Sequence, residues 1–357
     1  MLYRRAKVPV SLLPAALTAN SVYDRELDPA LLCDIRVANK AITEVAPAGN
    51  LDPKPGEKTS DLGGRLVFPG FLDAHTHLDK AHSWNRAPNR RGQFWDAIQL
   101  LADDKKNWSP EDLHARADYA LRCAYAYGTV AVRTHVDSPD SIRRHSHAVM
   151  AQLRREWNGR IELQTVPLVG VIEYSGPSGE DIADVAVANG ASALGGMPLM
   201  GPDLAKQLDR LLDIATERRV GIDLHVDENG DATTETLRFT AEAVLRKKFQ
   251  YPVACGHCCS LALHSPARQA DTIAKIKAAG IRIISLPLCN LYLQDRKFSP
   301  PEVGGKELGR TPIWRGVTLL HEFIDAGVTV ACASDNVRDA FYAFGDLDAY
   351  EVFIQSV

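Results

Sequence analysis

No apolar run in this 357-residue chain approaches the roughly 20 residues needed to cross a bilayer. A transmembrane helix is therefore excluded as its organising element. A basic surplus is missing too. The formal net charge of -4 argues against a protein that grips nucleic acid through a positive surface. There is no cysteine framework either. Seven cysteines, an odd number without regular spacing, read as reduced thiols of a cytoplasmic protein. What is present is ordinary globular composition, 45% hydrophobic and 24% charged. The length suffices for one large domain or two ordinary ones.

The N-terminus loosely imitates a secretory signal. Arg4, Arg5 and Lys7 precede the run from Val8 to Leu17. Pro9 and Pro14 interrupt that run, so it reads better as an edge strand of a small β domain. Residues 1 to 64 continue as short strands and turns, with strand-like stretches at Cys33–Val37 and Ala41–Val45. After Gly64 the texture changes to strands alternating with helices.

Eight strands are expected from there on. The first lies in RLVFPGFLDAHTHLDK, residues 65 to 80. The others are Gly128–Asp137, Ile161–Leu168, Ala191–Gly196, Val220–Asp227, Pro252–His257, Ile281–Leu286 and Val328–Asp335. Helical patterns separate them. In Asp203–Arg219, for example, Leu204, Leu208, Leu211, Leu212 and Ala215 share one face. Glycines such as Gly280 and Gly327 mark helix ends before a strand. Eight βα units match an α/β TIM (β/α)8 barrel, here spanning residues 65–357 behind the small N-terminal β domain of residues 1–64.

In that fold the chemistry sits at the C-terminal ends of the strands, and the polar residues collect there. His75 and His77, two apart on a strand, aim both imidazoles at one point, which suits a divalent metal. His225 ends the fifth strand, His257 the sixth and Asp335 the eighth. Each alone has an ordinary explanation, such as a helix cap for Asp335. Together, on a closed barrel, they converge. Glu228 stands at an odd offset from His225, so it faces the same point only if the strand has ended and the loop curls inward. Asn229-Gly230 is a turn signal that permits this. His135 also ends a strand and reads mainly as a structural polar residue; His82, His145, His147 and His264 carry no assigned role.

The stretches HTHLDK, THVD, HVDE, GHCCS and SDNVRDAFYAFGDLD occur in that order from about residue 60 onward. With them the sequence resembles the amidohydrolase superfamily, specifically its cytosine deaminase branch. The resemblance implies that His75, His77, His225 and Asp335 hold a single divalent metal ion: zinc or iron, with manganese also admitted. It implies Glu228 as the proton shuttle. It makes His257 the partner of the nucleophile or substrate, and Asp335 an acceptor of a proton from the attacking water. Related sites with two metals often carry a lysine ending the fourth strand. Leu194-Gly195-Gly196-Met197 offers none, which favours one ion.

The chemistry agrees with that implication. An ion held by three imidazoles and a carboxylate lowers the pKa of water from near 16 toward about 7, giving a metal-bound hydroxide nucleophile. A leaving amine needs a proton, and Glu228 is the carboxylic acid to deliver it. The expected activity is hydrolytic deamination of an amino-substituted nitrogen heterocycle, a cytosine-like pyrimidine or a triazine. A cyclic-amide hydrolase and a catalytically inactive barrel used for binding are the alternatives. The expected partner is a small-molecule heterocycle, without nucleic acid or membrane; a homo-oligomer is left open.

Three departures from the branch bear on substrate and completeness. The glutamine that reads the pyrimidine edge after the third strand has no counterpart in Val166–Ile172. Asn336 follows Asp335 where cytosine deaminase has a second aspartate, exchanging an acceptor for a group that also donates. Phe341 matches an aromatic that packs near substrate. The sequence also stops at Ile354-Gln355-Ser356-Val357, inside the expected eighth helix, so the C-terminal completion of the fold is expected to be missing.

Overall fold

Alternation of apolar and polar residues puts β1 (Leu2–Pro9) into a four-stranded sheet in the computed structural model, which describes residues 1–19, 29–296, 298–299 and 308–356. Leu2, Ala6 and Val8 are buried, and the register shifts between Tyr3 and Ala6, around Arg5 at φ 53°. β2 (Ala30–Ala38) pairs antiparallel with β1 and with β3 (Ala41–Pro47). Asn39 and Lys40, at φ 51° and 62°, close the β2–β3 hairpin with a two-residue turn. β4 (Thr59–Asp61) lies parallel to β1 on its other side.

β1 is therefore an interior strand, not the edge strand expected from its prolines. The order is β3-β2-β1-β4. Pro9 occupies the last position of β1 and Pro14 lies beyond it, so the N–H groups of Leu2–Val8 are free to pair with the neighbouring strands. The apolar run Leu66-Val67-Phe68 also goes elsewhere than expected. Leu66 bridges Lys7, and Val67 N donates to Lys7 O at 2.9 Å. That run therefore adds to the small sheet, and the chain divides into Met1–Phe71 and Leu72–Val357 rather than after Gly64.

The larger unit is a ring of parallel strands. Its members are β5 (Phe71–Thr76), β6 (Thr129–Asp137), β7 (Glu162–Leu168), β8 (Ala193–Gly196), β9 (Gly221–Val226), β10 (Val253–His257) and β11 (Arg282–Ser285). After the two-residue strands β12 (Phe298–Ser299) and β13 (Leu308–Gly309), which pair with each other, β14 (Val330–Cys332) completes the set. One sheet runs β5-β6-β7 and the other β8-β9-β10-β11-β14. Bridges from Thr76 to Asp335 and from Gly170 to Met197 join the two sheets at the C-terminal ends of the strands. The result is the expected TIM barrel.

Helices cover the barrel for the reasons their sequences suggest. In Leu204–Arg218, Leu204, Leu208, Leu211, Leu212 and Ala215 are all at most 1% exposed. Each such leucine contributes roughly 1.5–3 kcal/mol by leaving water. Gly280, at φ 65°, ends the helix Pro266–Ala279 in the left-handed conformation. β8 is short and glycine-rich because the barrel leaves no room there. A Cβ on Gly195 would meet Val166 Cγ1 at 2.4 Å and Pro167 O at 2.6 Å.

All seven cysteines are free thiols. No described helix is long and apolar enough to cross a membrane. The last described helix is Ala349–Ser356; Val357, where the sequence stops, lies outside the described residues.

Candidate active site

His75 is the last residue but one of β5 and His77 follows the strand, and both are buried. Across the barrel, His225 Nε2 lies 3.1 Å from His75 Nε2 and 3.1 Å from His77 Nε2. Asp335 Oδ1 stands 3.2 Å from His77 Nε2 and 3.6 Å from His75 Nε2. Three ring nitrogens and one carboxylate oxygen thus face one another across a gap of atomic size. Asp335 sits just past β14 with φ 64°, and its N–H donates to His75 O at 2.9 Å. The positive φ of a non-glycine residue stores strain at the point where its carboxylate turns inward.

The residues fit a divalent cation. Burial holds the protonation of His75 and His77 well below the usual imidazole range and pushes His225 down to about 3. All three rings are therefore neutral, with a lone pair available. Both carboxylate oxygens of the buried Asp335 lack a hydrogen-bond partner. Such a carboxylate is costly to bury unless something positive meets it. Neutral imidazoles and a bare carboxylate are the donors that zinc, iron or manganese accept.

Glu228 does curl inward. β9 ends at Val226, and Asp227, at φ 51°, breaks the strand's alternation before Glu228. Asp227 is pinned there. Its Oδ1 accepts from Thr236 N at 2.8 Å, and its Oδ2 accepts from Leu237 N at 3.1 Å. These are the first N–H groups of the helix Thr236–Lys247. Glu228 Oε2 then lies 3.4 Å from His257 Nε2. Burial first, and the nearby Asp335 carboxylate second, drive the Glu228 carboxyl well above the usual range.

His257 ends β10 at φ 68°. Its Nδ1 meets Asn290 Nδ2 at 3.1 Å. An amide nitrogen only donates, so Nδ1 accepts and Nε2 carries the proton. Nε2–H consequently points toward Glu228.

These groups open into a cavity of about 310 Å³. Its wall includes His77, His225, Glu228, His257, Asp335, Asn336 and Phe341, together with Phe94, Leu101 and Met197. Asn336 reaches the cavity already engaged, since its Nδ2 donates to Asp339 Oδ2 at 2.7 Å. Asp339 also accepts from Phe341 N at 2.8 Å, which fixes the loop behind Asp335.

Three groups carried no role in the sequence reading. Lys80 and Asp137 line the cavity as an ion pair at 2.7 Å, and Lys105 reaches the same aspartate at 2.8 Å. The signal was present in HTHLDK and THVD, where both residues sit. His135 lies deeper. Its ring is 4.1 Å from that of His75, both its nitrogens lack partners, and Asp223 Oδ1 is 3.7 Å away. His82, His145, His147 and His264 are absent from the cavity wall.

The chain matches the amidohydrolase family model over residues 58–122 and 113–353. It is 43% identical over 325 residues to a pterin deaminase of Rhizobium rhizogenes, covering 91% of this chain and 72% of that one. It is 24% identical over 300 residues to an N-isopropylammelide isopropyl amidohydrolase of Pseudomonas, covering 81% and 67%. Among solved structures, the 5-methylcytosine deaminase of Klebsiella pneumoniae superposes with a TM-score of 0.81 at 23% identity, over 99% of this chain and 79% of that one. The N-isopropylammelide isopropylaminohydrolase of Burkholderia multivorans gives 0.74 at 25% identity, over 99% and 80%. By the reach of that family match and the 43% identity, this chain belongs to the amidohydrolase family, in its deaminase branch, and is a hydrolase of C–N bonds other than peptide bonds.

Proposed function

We propose that the protein is a metal-dependent hydrolytic deaminase of an amino-substituted nitrogen heterocycle, with a fused two-ring pterin preferred over a single pyrimidine or triazine ring. The observation that carries the reading is the meeting of His75, His77, His225 and Asp335, the last three of which share one cavity wall with Glu228. The 43% identity to a pterin deaminase, set against 24% to the isopropylammelide enzyme, supports the two-ring choice. So does the apolar breadth that Phe94, Leu101, Met197 and Phe341 give the cavity.

His75, His77, His225 and Asp335 would hold the ion. A divalent cation bound there would supply Lewis acidity, lowering the cost of removing a proton from the attacking water at neutral pH. The remaining work falls to the protein's side chains. The raised proton affinity of Glu228 suits a group that receives a proton from the attacking water and passes it to the departing nitrogen. Asp335 is the second acceptor for a proton of that water. His257, held by Asn290 with its proton on Nε2, donates toward the substrate where negative charge develops. Lys80 and Asp137 offer a donor and an acceptor to ring heteroatoms, and Phe341 packs on the ring face. Water's oxygen bonds to the carbon, the exocyclic C–N bond breaks, one water proton leaves with the nitrogen as ammonia, and the other ends on the adjacent ring nitrogen.

The test is ammonia release by protein supplied with zinc, iron or manganese, across pterin, cytosine and amino-triazines. Pterin is expected to give the highest kcat/KM and a product with oxygen in place of the amino group. Ring opening without ammonia would indicate cyclic-amide hydrolysis instead. No turnover of any of these compounds would count against the reading.

A further inference from the structure

Cys289 lies in the helix Pro287–Leu293 and is fully buried, and neither the metal set nor the proposed proton path employs it. Its Sγ, a carboxylate oxygen of Glu228 and a carboxylate oxygen of Asp335 all lie within 4.8 Å of one another. The sulfur's other neighbours are weak ones, Asn336 Oδ1 and Phe341 O, each at 3.8 Å. Asp335 Oδ1 is the oxygen that faces His75 and His77. Its Oδ2 is buried without a hydrogen-bond partner, at a residue that is 1% exposed. Asp335, with both oxygens unpartnered, has acceptor capacity for two cations.

We propose that Cys289, Glu228 and Asp335 form a second, inhibitory site for a thiophilic divalent cation such as zinc. The inference rests on the reading of His75, His77, His225 and Asp335 as the first site. Charge favours double occupancy. Two carboxylates and a thiolate bring three negative charges against the four positive charges of two ions. Sulfur selects zinc or cadmium over magnesium. On binding, the Cys289 thiol and the Glu228 carboxyl each lose a proton to solvent, and the sulfur lone pair enters the metal–sulfur bond. The site opens to the cavity through Glu228 and Asp335, so an ion can reach it. An ion there occupies the Glu228 carboxylate and removes the proton carrier. Turnover falls by about 100- to 10,000-fold, the scale of losing a general acid.

The experiment is a titration of metal-free protein with cobalt(II), followed by absorption and by turnover. The first equivalent is expected to give an active protein without a sulfur-to-cobalt charge-transfer band. The second should bring that band in the near ultraviolet together with the loss of turnover. In Cys289→Ser the band should be absent and turnover should survive excess metal. Cys289→Ala serves the same purpose should the serine variant misfold. On the unaltered protein, inhibition by excess zinc or cadmium but not by magnesium is a further expected result.

A second equivalent that binds without the band, or equal inhibition of the Cys289 variants, overturns the proposal and leaves the first site standing. A sulfur band with the first equivalent, or no cobalt bound at all, overturns both readings. The spectra need no substrate, so they decide the matter even if the substrate assignment fails.

Discussion

Asp227 accepts from Thr236 twice, from its backbone N at 2.8 Å and from its Oγ1 at 2.6 Å, while its own backbone is held at φ 51°. One side chain thereby caps the helix Thr236–Lys247 and fixes the turn that swings Glu228 inward. Glu235, the residue at the helix's formal N-cap position, makes no capping hydrogen bond with its side chain. Asp227→Ala should cost about 1–2 kcal/mol of stability, the value of a helix cap. It should also lower kcat more than it raises KM, because Glu228 loses its placement. Urea unfolding and steady-state kinetics at a temperature where the variant stays folded check both. Unchanged kcat would reduce Asp227 to a cap alone.

Glu228→Gln keeps the size and polarity of the side chain and removes only its ability to carry a proton. Metal content is expected to stay at the wild-type level while kcat falls by about 100- to 10,000-fold, the usual range for general acid–base catalysis. Near wild-type turnover would remove Glu228 from the proton path.

Asn290 sets which nitrogen of His257 bears the proton, through its 3.1 Å contact with Nδ1. Asn290→Leu removes that donor and frees the imidazole to choose the other tautomer. Turnover should drop about ten-fold or more, as for other residues that orient a histidine, with metal content unchanged. Asn290→Gln tests for partial rescue. Full activity in the leucine variant would mean that His257 is oriented by something else.

His147 gives a pH dependence that the active site does not influence. It is 1% exposed, with Nε2 2.9 Å from Ser138 Oγ, and burial lowers its pKa from 6.5 to about 4. The folded chain keeps this ring neutral where the unfolded chain protonates it. Its contribution to stability is therefore complete above about pH 6.5 and is lost as the pH falls toward about 4. The loss amounts to about 3 kcal/mol across that window. His147→Gln should flatten the pH dependence of the urea midpoint between those limits. An unchanged slope would contradict the assignment.

Much of the barrel was legible because its signals are local. Leu204, Leu208, Leu211, Leu212 and Ala215 mark a helix face by spacing alone, and glycines such as Gly280 close helices by the same local rule. His75, His77, His225, His257 and Asp335 could be placed at strand ends because the strands around them were readable. What escaped depends on partners distant in sequence. Nothing in Leu66-Val67-Phe68 says that the run belongs beside Lys7 rather than in the barrel. The weak signal of β8 arises because Val166 and Pro167 leave no space for a side chain at Gly195. Prolines near β1 suggested an edge, but only the placement of β4 shows that both sides of that strand are used. Asp227 at φ 51° defeats the alternation rule that would have aimed Glu228 away. Lys80 and Asp137 were visible as residues, but their pairing in the cavity wall needs the β5 and β6 ends side by side.

The most direct test is the metal content of folded, purified protein, by plasma mass spectrometry, for the wild type and for His75→Ala, His77→Ala, His225→Ala and Asp335→Ala. The wild type is expected to hold a divalent ion at its first site, and each variant to bind it about ten-fold or more weakly, as the loss of one donor from a shared set requires. Folded variants that retain the wild-type ion content would show that these four side chains do not share a cation.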